Sequence, residues 1–303
     1  MPEIRFSIII TSYNQREFIK DAVDSALSQR HAKAEIIVVD DGSTDGSQEI
    51  LRQYGDAIQL VCHETNQGAG AARNNGAAQA NGEYLVFLDG DDAFLPWALD
   101  VYERIVQAKK PKMILGKLWW FEGMLPVLQP EDTPHEIRSV EYQDYLRKDR
   151  AFDISASALV IDRQCFERAQ GWSRDIWPMN DQDLVLRLGD CGRTIHILAP
   201  HTTFYRIHAA NTVKYTPPYI PSLCKIIHNE RAGLYPGGES RSRERRAIIG
   251  KEVVSWTKRA VKDRLYGVTL KLLVRGWPMA WVAITRRLRI GLMGRLPFET
   301  IKM

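Results

Sequence analysis

Cysteine is scarce in this chain of 303 residues. Its four cysteines, Cys62, Cys165, Cys191 and Cys224, are far apart in the sequence and form no Cys-x-x-Cys pair. This spacing argues against a structural zinc site and against a disulfide framework. It fits a protein kept in a reducing cytoplasm.

Long apolar runs are also missing. Residues 1–5 include Glu3 and Arg5, and the apolar run that follows them ends at Ile10, so we expect no secretory signal. A membrane-spanning helix needs about 20 consecutive apolar residues. Lys271, Arg275 and Pro278 interrupt the best window near the C-terminus. We therefore expect a cytoplasmic protein, with at most a peripheral position on the inner face of the plasma membrane.

The net charge of +4 hides a strong asymmetry. Residues 241–303 hold 16 Lys and Arg against 4 Asp and Glu, whereas residues 1–240 hold 25 basic and 33 acidic groups. Trp and Leu residues lie between the basic residues of the C-terminal segment, a pattern typical of amphipathic helices in a membrane interface. We predict that residues 241–303 lie on an anionic membrane surface. The alternatives are packing on the rest of the chain or an oligomer contact.

The first half of the sequence alternates between short apolar runs and helical patterns. Strands are predicted at 5–11, 35–39, 58–62 and 84–88, with helices at 18–27, 47–54 and 66–82 between them. This alternation predicts an α/β fold with a mainly parallel, Rossmann-like sheet flanked by helices. The second half is less regular, with a helix at 99–108 and strands at 113–121, 157–162, 195–199 and 202–207.

Polar residues follow three of the predicted strands. Thr11 to Asn14 follow the first strand, Asp40-Asp41 end the second, and Asp89 to Asp92 follow the fourth. Ligands in parallel α/β sheets bind beyond the carboxyl ends of the strands, so these residues should converge. A bound Mg²⁺ or Mn²⁺ would offset the repulsion between the clustered carboxylates. Taken alone, the acidic turn is better explained as a solvated cap of the next helix, and the metal site depends on the other strand ends converging with it.

Four strings in this order resemble family 2 glycosyltransferases: Ser-Ile-Ile-Ile-Thr-Ser-Tyr-Asn, Val-Val-Asp-Asp-Gly-Ser-Thr-Asp, Asn-Gln-Gly-Ala-Gly-Ala-Ala-Arg-Asn-Asn-Gly and Leu-Asp-Gly-Asp-Asp. The resemblance covers residues 4–215. It implies an inverting enzyme of the GT-A fold that uses a nucleotide sugar, most often a UDP-sugar, together with Mn²⁺ or Mg²⁺.

The resemblance also implies a domain organisation. Residues 1–215 would form the catalytic domain, with a nucleotide-sugar half at 1–110 and an acceptor half at 110–215. Residues 216–240 would be a linker to a basic, amphipathic, helical extension at 241–303. The acceptor would be a glycan or a lipid-linked sugar of polysaccharide, lipopolysaccharide or glycolipid synthesis, and no nucleic acid partner is expected.

Specific residues acquire roles from the resemblance. The donor would be bound by Thr11, Tyr13, Asn14, Asp41, Arg73, Asp89 and Arg206. Asp91, from the Asp-x-Asp string, would hold the metal, and His208 of Tyr205-Arg206-Ile207-His208 would complete its shell. Asp181 matches the catalytic base, although Asn180 stands where the family usually has Glu. Asp183 is interpreted as a first-turn charge of a helix.

Three rival functions fit the same residues less well. A dinucleotide-binding oxidoreductase would need Gly-x-Gly-x-x-Gly, but the string that begins at Gly68 has Arg73 at its last position. A sugar nucleotidyltransferase would favour a basic, glycine-rich loop after the first strand, and residues 11–15 contain none. A non-catalytic glycan- or membrane-binding scaffold would not need both Asp91 and Asp181.

Overall fold

A computed structural model describes residues 6–29, 34–209, 211 and 217–303. Arg5, the predicted start of the first strand, lies outside the described residues. The predicted domain boundary between residues 215 and 216 also lies outside them.

The elements alternate as predicted in the first half of the chain. The strands are β1 Phe6–Ser12, β2 Ala34–Asp40, β3 Gln59–Cys62, β4 Tyr84–Asp89, β5 Ala93–Phe94, β6 Met113–Leu115, β7 Leu118–Glu122, β8 Glu136–Tyr142, β9 Leu159–Asp162, β10 Thr194–Ala199, β11 Thr203–Ile207 and β12 Glu299–Lys302. The α-helices are α1 Ile19–Leu27, α2 Ser47–Arg52, α3 Ala69–Gln79, α4 Ala98–Lys109, α5 Arg163–Arg168, α6 Asn180–Arg187, α7 Tyr219–Arg231, α8 Ser242–Lys262 and α9 Tyr266–Met293.

Nine strands form a central sheet in the order β12-β8-β10-β6-β9-β4-β1-β2-β3. Seven of them run in one direction, and β8 and β9 run in the opposite direction. The predicted mainly parallel sheet is therefore confirmed, with two antiparallel strands. In the parallel register Thr11 is level with Asp89 and Ser12 with Asp40, so the polar strand ends share one edge of the sheet.

Both faces of the sheet are covered, which explains why its strands are apolar without interruption. Ile8 and Ile10 of β1 pack with α1 and α4 on one face, whereas Ile9 packs with α3 and with the later helices on the other. Side chains alternate between the faces of a strand, so the single run from residue 6 to residue 10 contributes to two hydrophobic cores.

The single strand predicted at 113–121 is wrong, because the chain changes sheets within it. β6 belongs to the central sheet, and β7 joins β5 and β11 in a separate three-stranded sheet. The change occurs at Gly116, whose N–H donates to the Ala158 carbonyl at 2.7 Å. A Cβ at this position would lie 2.7 Å from Oγ1 of Thr202, so the close approach favours glycine.

The C-terminal helices are integrated into the core. Helix α7 occupies much of the predicted linker, and its Leu223 and Ile226 are buried in the same core as Ile249 and Val253 of α8. Helices α8 and α9 form a tight pair, in which a Cβ at Gly250 would overlap the carbonyl of Met279. After α9 the chain returns to the sheet, where β12 pairs with β8. None of the helices described in 6–29, 34–209 and 217–303 has the length and apolarity to cross a bilayer.

Candidate active site

A cleft of about 1170 Å³ opens at the carboxyl edge of the central sheet. Its walls come from the residues after β1 and β4, from the first turn of α6, and from α7, α8 and the chain after β11. Seven of the ten predicted site residues line it: Tyr13, Asn14, Arg73, Asp89, Asp91, Asp181 and His208. Thr11, Asp41 and Arg206 lie behind its wall and are buried.

The end of the cleft where donor binding is predicted is built on the turn after β4. Gly90 donates its N–H to the Thr11 carbonyl at 2.9 Å, and a Cβ at this position would lie 2.9 Å from that oxygen, so the turn has no room for a side chain. Asp89 Oδ1 accepts from Arg73 Nη2 at 2.5 Å and from Thr11 Oγ1 at 3.4 Å. The guanidinium of Arg73 also lies 4.7 Å from the ring centroid of Trp172. The buried Arg73 Nε has no acceptor among the described residues.

Asp91 and His208 meet across the cleft, although 117 positions separate them in the sequence. The Nε2 of His208 lies 2.9 Å from Asp91 Oδ2, and both side chains are about one fifth exposed. No group of three His, Cys, Asp or Glu side chains within the described ranges could hold a metal ion. A carboxylate and an imidazole fit a divalent ion that takes its remaining ligands from phosphates and water, which is how Mg²⁺ is commonly bound.

Arg206 and Asp92 brace the acidic turn from behind. Asp92 is buried and accepts from Ser157 Oγ at 2.6 Å and from the Arg206 backbone N–H at 3.0 Å. Arg206 Nε donates to the Asp91 carbonyl at 3.0 Å, and its Nη2 pairs with Asp21 at 2.6 Å. The predicted contact of Arg206 with phosphate stays a prediction, whereas its observed contacts position the turn.

Asp41, like Arg206, holds a backbone segment in place from behind the wall of the cleft. Its carboxylate accepts from the backbone N–H groups of Gln67 and Gly68 at 2.9 and 2.8 Å, and it lies 2.7 Å from Nδ1 of His63. These contacts fix the chain that leads into α3. A contact between Asp41 and a nucleobase stays a prediction.

Asn14 lines the cleft, but its side-chain amide oxygen accepts from the Thr44 N–H at 2.9 Å.

The two aspartates of α6 have different environments. Asp181 faces the cleft, and burial raises the pKa of its carboxyl to about 7 although the Gln182 N–H donates to it at 2.7 Å. Asp183 is 1% exposed and accepts from Ser173, Arg187 and Tyr235 at 2.5, 2.7 and 2.8 Å. Asp181 therefore has the position and the pKa of a general base, while Asp183 is a structural anchor.

Sequence reasoning missed one wall of the cleft. Tyr219 of α7 lines this wall together with four residues of α8: Lys251, Glu252, Ser255 and Trp256. The α8 residues belong to segment 241–303, for which the sequence predicts a membrane contact. The available signal was the spacing of these α8 residues, which recur every four positions and therefore share a helix face. Two tryptophans, Trp120 and Trp177, also line the cleft, whereas Trp172 is buried in the core.

Comparison with known proteins identifies a family. The family model described as "Glycosyl transferase family 2" matches residues 7–167. TuaG of Bacillus subtilis is 36% identical over 162 residues, which are 52% of this chain and 62% of TuaG. The uncharacterized glycosyltransferase alr2836 of Nostoc sp. is 38% identical over 222 residues, which are 69% of this chain and 66% of that protein. The chain thus spans less than two thirds of either relative.

A further relative and two solved structures extend the comparison. The Escherichia coli protein WfaP, named as UDP-Glc:alpha-D-GlcNAc-diphosphoundecaprenol beta-1,3-glucosyltransferase, is 29% identical over 68% of this chain and 78% of its own. S. aureus TarS 1-349 in complex with UDP-GlcNAc matches with a TM-score of 0.65 at 17% identity, covering 96% of this chain and 93% of that one. The mannosyltransferase PcManGT of Pyrobaculum calidifontis, in complex with GDP-Man and Mn2+, matches with a TM-score of 0.55 at 17% identity, covering 94% and 87%. At such identities the structures confirm the predicted GT-A fold class alone.

The different environments of Asp181 and Asp183 predict that replacing each of them by Asn has opposite effects on stability. In an unfolded chain the pKa of Asp is about 3.9, whereas burial raises the pKa of Asp181 in the folded chain to about 7. The protonated carboxyl therefore stabilises the folded state at low pH. This contribution to the free energy of unfolding is lost as the pH rises from about 4 to 7. Asp181→Asn should therefore gain stability relative to the wild type across this range and hold the gain above it. Asp183→Asn should lose roughly 3–5 kcal/mol, because Arg187 loses a buried charged partner.

Thermal unfolding of both variants between pH 4 and pH 8 measures these effects. A difference between Asp181→Asn and the wild type that does not change with pH would contradict the assignment of Asp181. Asp190→Asn, at an exposed position, is the control and should match the wild type.

Proposed function

This chain belongs to glycosyl transferase family 2, and from that premise we propose that its cleft transfers a sugar from a nucleoside diphosphate sugar, preferably a UDP-sugar, to an acceptor hydroxyl with inversion at the anomeric carbon. The observation that carries the proposal is the division of the cleft. Carboxylates paired with Arg73 and His208 occupy one end, and the carboxyl group of Asp181 faces the same space without a salt bridge to any residue that the structure describes.

The donor end suits a diphosphate leaving group. Negative charge develops on that group in the transition state, and fixed positive charge stabilises it. Arg73 supplies such charge at the cleft surface, and its orientation is fixed by Asp89 and by the ring of Trp172. Asp91 and His208 would hold Mn²⁺ or Mg²⁺, which when bound neutralises the developing charge.

The acceptor end suits proton removal. An acceptor hydroxyl is a weak nucleophile, so a carboxylate must take its proton as it attacks. Asp181, with its pKa raised to about 7 by burial, can accept a proton near neutral pH. A single base and a single attack from the side opposite the leaving group give inversion.

The exposed apolar and basic residues of α9 support a position of the protein on a membrane. Its outward side exposes large apolar residues at helical spacing: Tyr266, Leu270, Val274, Trp277, Trp281 and Leu288. Lys271, Arg275 and Arg287 lie on the same helix, so apolar and basic groups occur together. We propose that α9 lies in the interface of an anionic bilayer, on the cytoplasmic face of the plasma membrane.

This position also suggests the acceptor. WfaP is named for transfer to a diphosphoundecaprenol-linked sugar. A lipid-linked acceptor sugar would be held near a protein that lies on the same membrane. We therefore propose a glycan or lipid-linked acceptor, in the synthesis of cell-surface polysaccharide, lipopolysaccharide or glycolipid.

Nucleotide binding should depend on a divalent ion. By calorimetry, UDP should bind the wild type more tightly with Mn²⁺ or Mg²⁺ than with a chelator, because an ion held by Asp91 and His208 would offset the negative charge of the diphosphate. Asp91→Ala should remove this difference. Asp56→Ala, at an exposed position outside the cleft, should retain it. Equal affinity of the wild type with and without the ion would refute the metal site, and a subsequent screen of nucleotide sugars would identify the donor.

Turnover should depend on Asp181 and on pH. Asp181→Asn cannot accept a proton, so release of UDP from the donor should fall by about 10²–10⁴-fold with the affinity for UDP unchanged. Turnover of the wild type should fall about tenfold per pH unit below pH 7, since the base is then protonated. Near-normal turnover of Asp181→Asn would exclude this residue as the base. Asp190→Asn again serves as the control.

Membrane binding should require the exposed face of α9. In liposome flotation at low salt, the wild type should float with anionic vesicles, and high salt or neutral lipid should reduce this binding. Trp277→Ser combined with Trp281→Ser should abolish it, because these rings are 53% and 56% exposed and supply apolar contact with lipid. Truncation is unsuitable as a test, since it would remove α8 from the core.

The matched control replaces exposed apolar residues elsewhere. Met124 and Val127 are 91% and 85% exposed in the loop after β7, and Met124→Ser combined with Val127→Ser should float like the wild type. If the wild type remains with the soluble fraction, α9 is not a membrane surface. If it instead forms an oligomer that the tryptophan substitutions dissociate, the partner of α9 is a second copy of the chain.

A further inference from the structure

Helix α8 forms a wall of the cleft beside the candidate base. Lys251, Glu252, Ser255 and Trp256 all line the cavity. The helix is held in place by its adjacent buried side, where Ile249 and Val253 belong to the main core. The cleft therefore includes a rigid helical surface that no predicted donor contact uses.

Glu252 on this wall is poorly paired. Its side chain is 18% exposed, and its nearest cation is Lys251 Nζ at 4.0 Å, which is itself 52% exposed. Within the described part of the chain, its carboxylate accepts no hydrogen bond. Burial raises the pKa of Glu252. Keeping a largely buried carboxylate without donors costs stability, so a ligand that supplies donors would complete the site.

The neighbours of Glu252 place it at the acceptor end. The charge of Glu252 contributes to the raised pKa of Asp181, after the larger effect of burial. Trp256, on the next turn of α8, stacks on Tyr219 with ring centroids 4.1 Å apart. One turn further along α7, Ser222 Oγ donates to the Trp177 carbonyl at 2.6 Å. Helix α7 thus links the α8 wall to Trp177, whose side chain is about half exposed and also lines the cleft.

We infer that Glu252 and Trp177 form the acceptor subsite, in which the carboxylate accepts hydrogen bonds from hydroxyl groups of a pyranose ring that packs on the indole. This inference rests on the proposed function, because it assigns the second substrate of the same cleft. A pyranose ring offers adjacent hydroxyl donors for a carboxylate and an apolar C–H face for an aromatic ring. Glu252 is thereby a specificity-determining residue, distinct from Asp181, which takes the proton.

Saturation-transfer NMR tests the subsite with defined probes. The methyl glycosides of glucose, galactose, mannose and N-acetylglucosamine are titrated into the protein with UDP and Mn²⁺ present. At least one should bind the wild type, and Glu252→Gln and Trp177→Leu should each weaken its binding by about tenfold or more, as expected for losing a hydrogen bond to a charged group or a stacking surface. UDP affinity should not change. Glu167→Gln, at an exposed position on α5, is the matched control.

Thermal unfolding separates this role from a structural one. Glu252→Gln removes a poorly paired charge, so its Tm should equal or exceed that of the wild type. A lower Tm would make Glu252 a structural residue and overturn the inference. Binding of UDP without binding of any glycoside, or glycoside binding that Glu252→Gln leaves unchanged, would also overturn it. Failure of the wild type to bind UDP would instead refute the proposed function.

Discussion

The buried carboxylate of Asp92 is the constraint on which the proposed donor end of the cleft depends. Burial raises its pKa well above the usual value, with smaller contributions from the charges of Asp91 and Asp89. Donors from Ser157 and from the Arg206 backbone offset this cost, and they come from different parts of the chain. Asp92 therefore ties the turn after β4 to the segment before β9 and to β11. The same strand β11 leads to His208, so this tie also sets the distance between His208 and Asp91.

The C-terminal helices extend this rigidity to the other end of the cleft. Gly250 of α8 lies against the backbone of Met279 in α9, and Gly276 of α9 lies against Val253 in α8. Arg286 of α9 donates to backbone carbonyls of residues 146 and 148 at 2.8 and 2.9 Å. Close backbone contact leaves little freedom for the two helices to slide. The packing of α9 therefore helps to fix the position of the wall that carries Glu252.

Local patterns predicted the parts of the fold that depend on local interactions. The apolar runs of β1, β2 and β4 and the polar residues that follow them gave the parallel sheet and the position of the cleft, because strand ends in such a sheet share an edge. The change of sheet at Gly116 and the entry of α8 into the cleft depend on contacts between distant segments. Periodicity detects an amphipathic helix, but it does not identify the surface that covers the apolar side. The basic residues of 241–303 therefore predicted a membrane contact for α8 and α9 alike, but they did not predict that one side of α8 is buried in the core and that four of its residues line the cleft.

The sequence also identified the candidate side chains of the site more reliably than the role of each one. Asp41 and Arg206 are acidic and basic residues near a predicted donor site, yet both are buried behind the cleft wall with protein partners. The chemical type of a residue indicates what it can bind, whereas its neighbours decide whether that capacity remains available. At the proposed donor end, Asp89 and Asp91 face Arg73 and His208. At the proposed acceptor end, burial raises the pKa of Asp181 and of Glu252 because compensating partners are few. One cleft can thus keep one set of carboxylates for cations and another set for protons and hydroxyl groups, since the environment of each carboxylate decides its use.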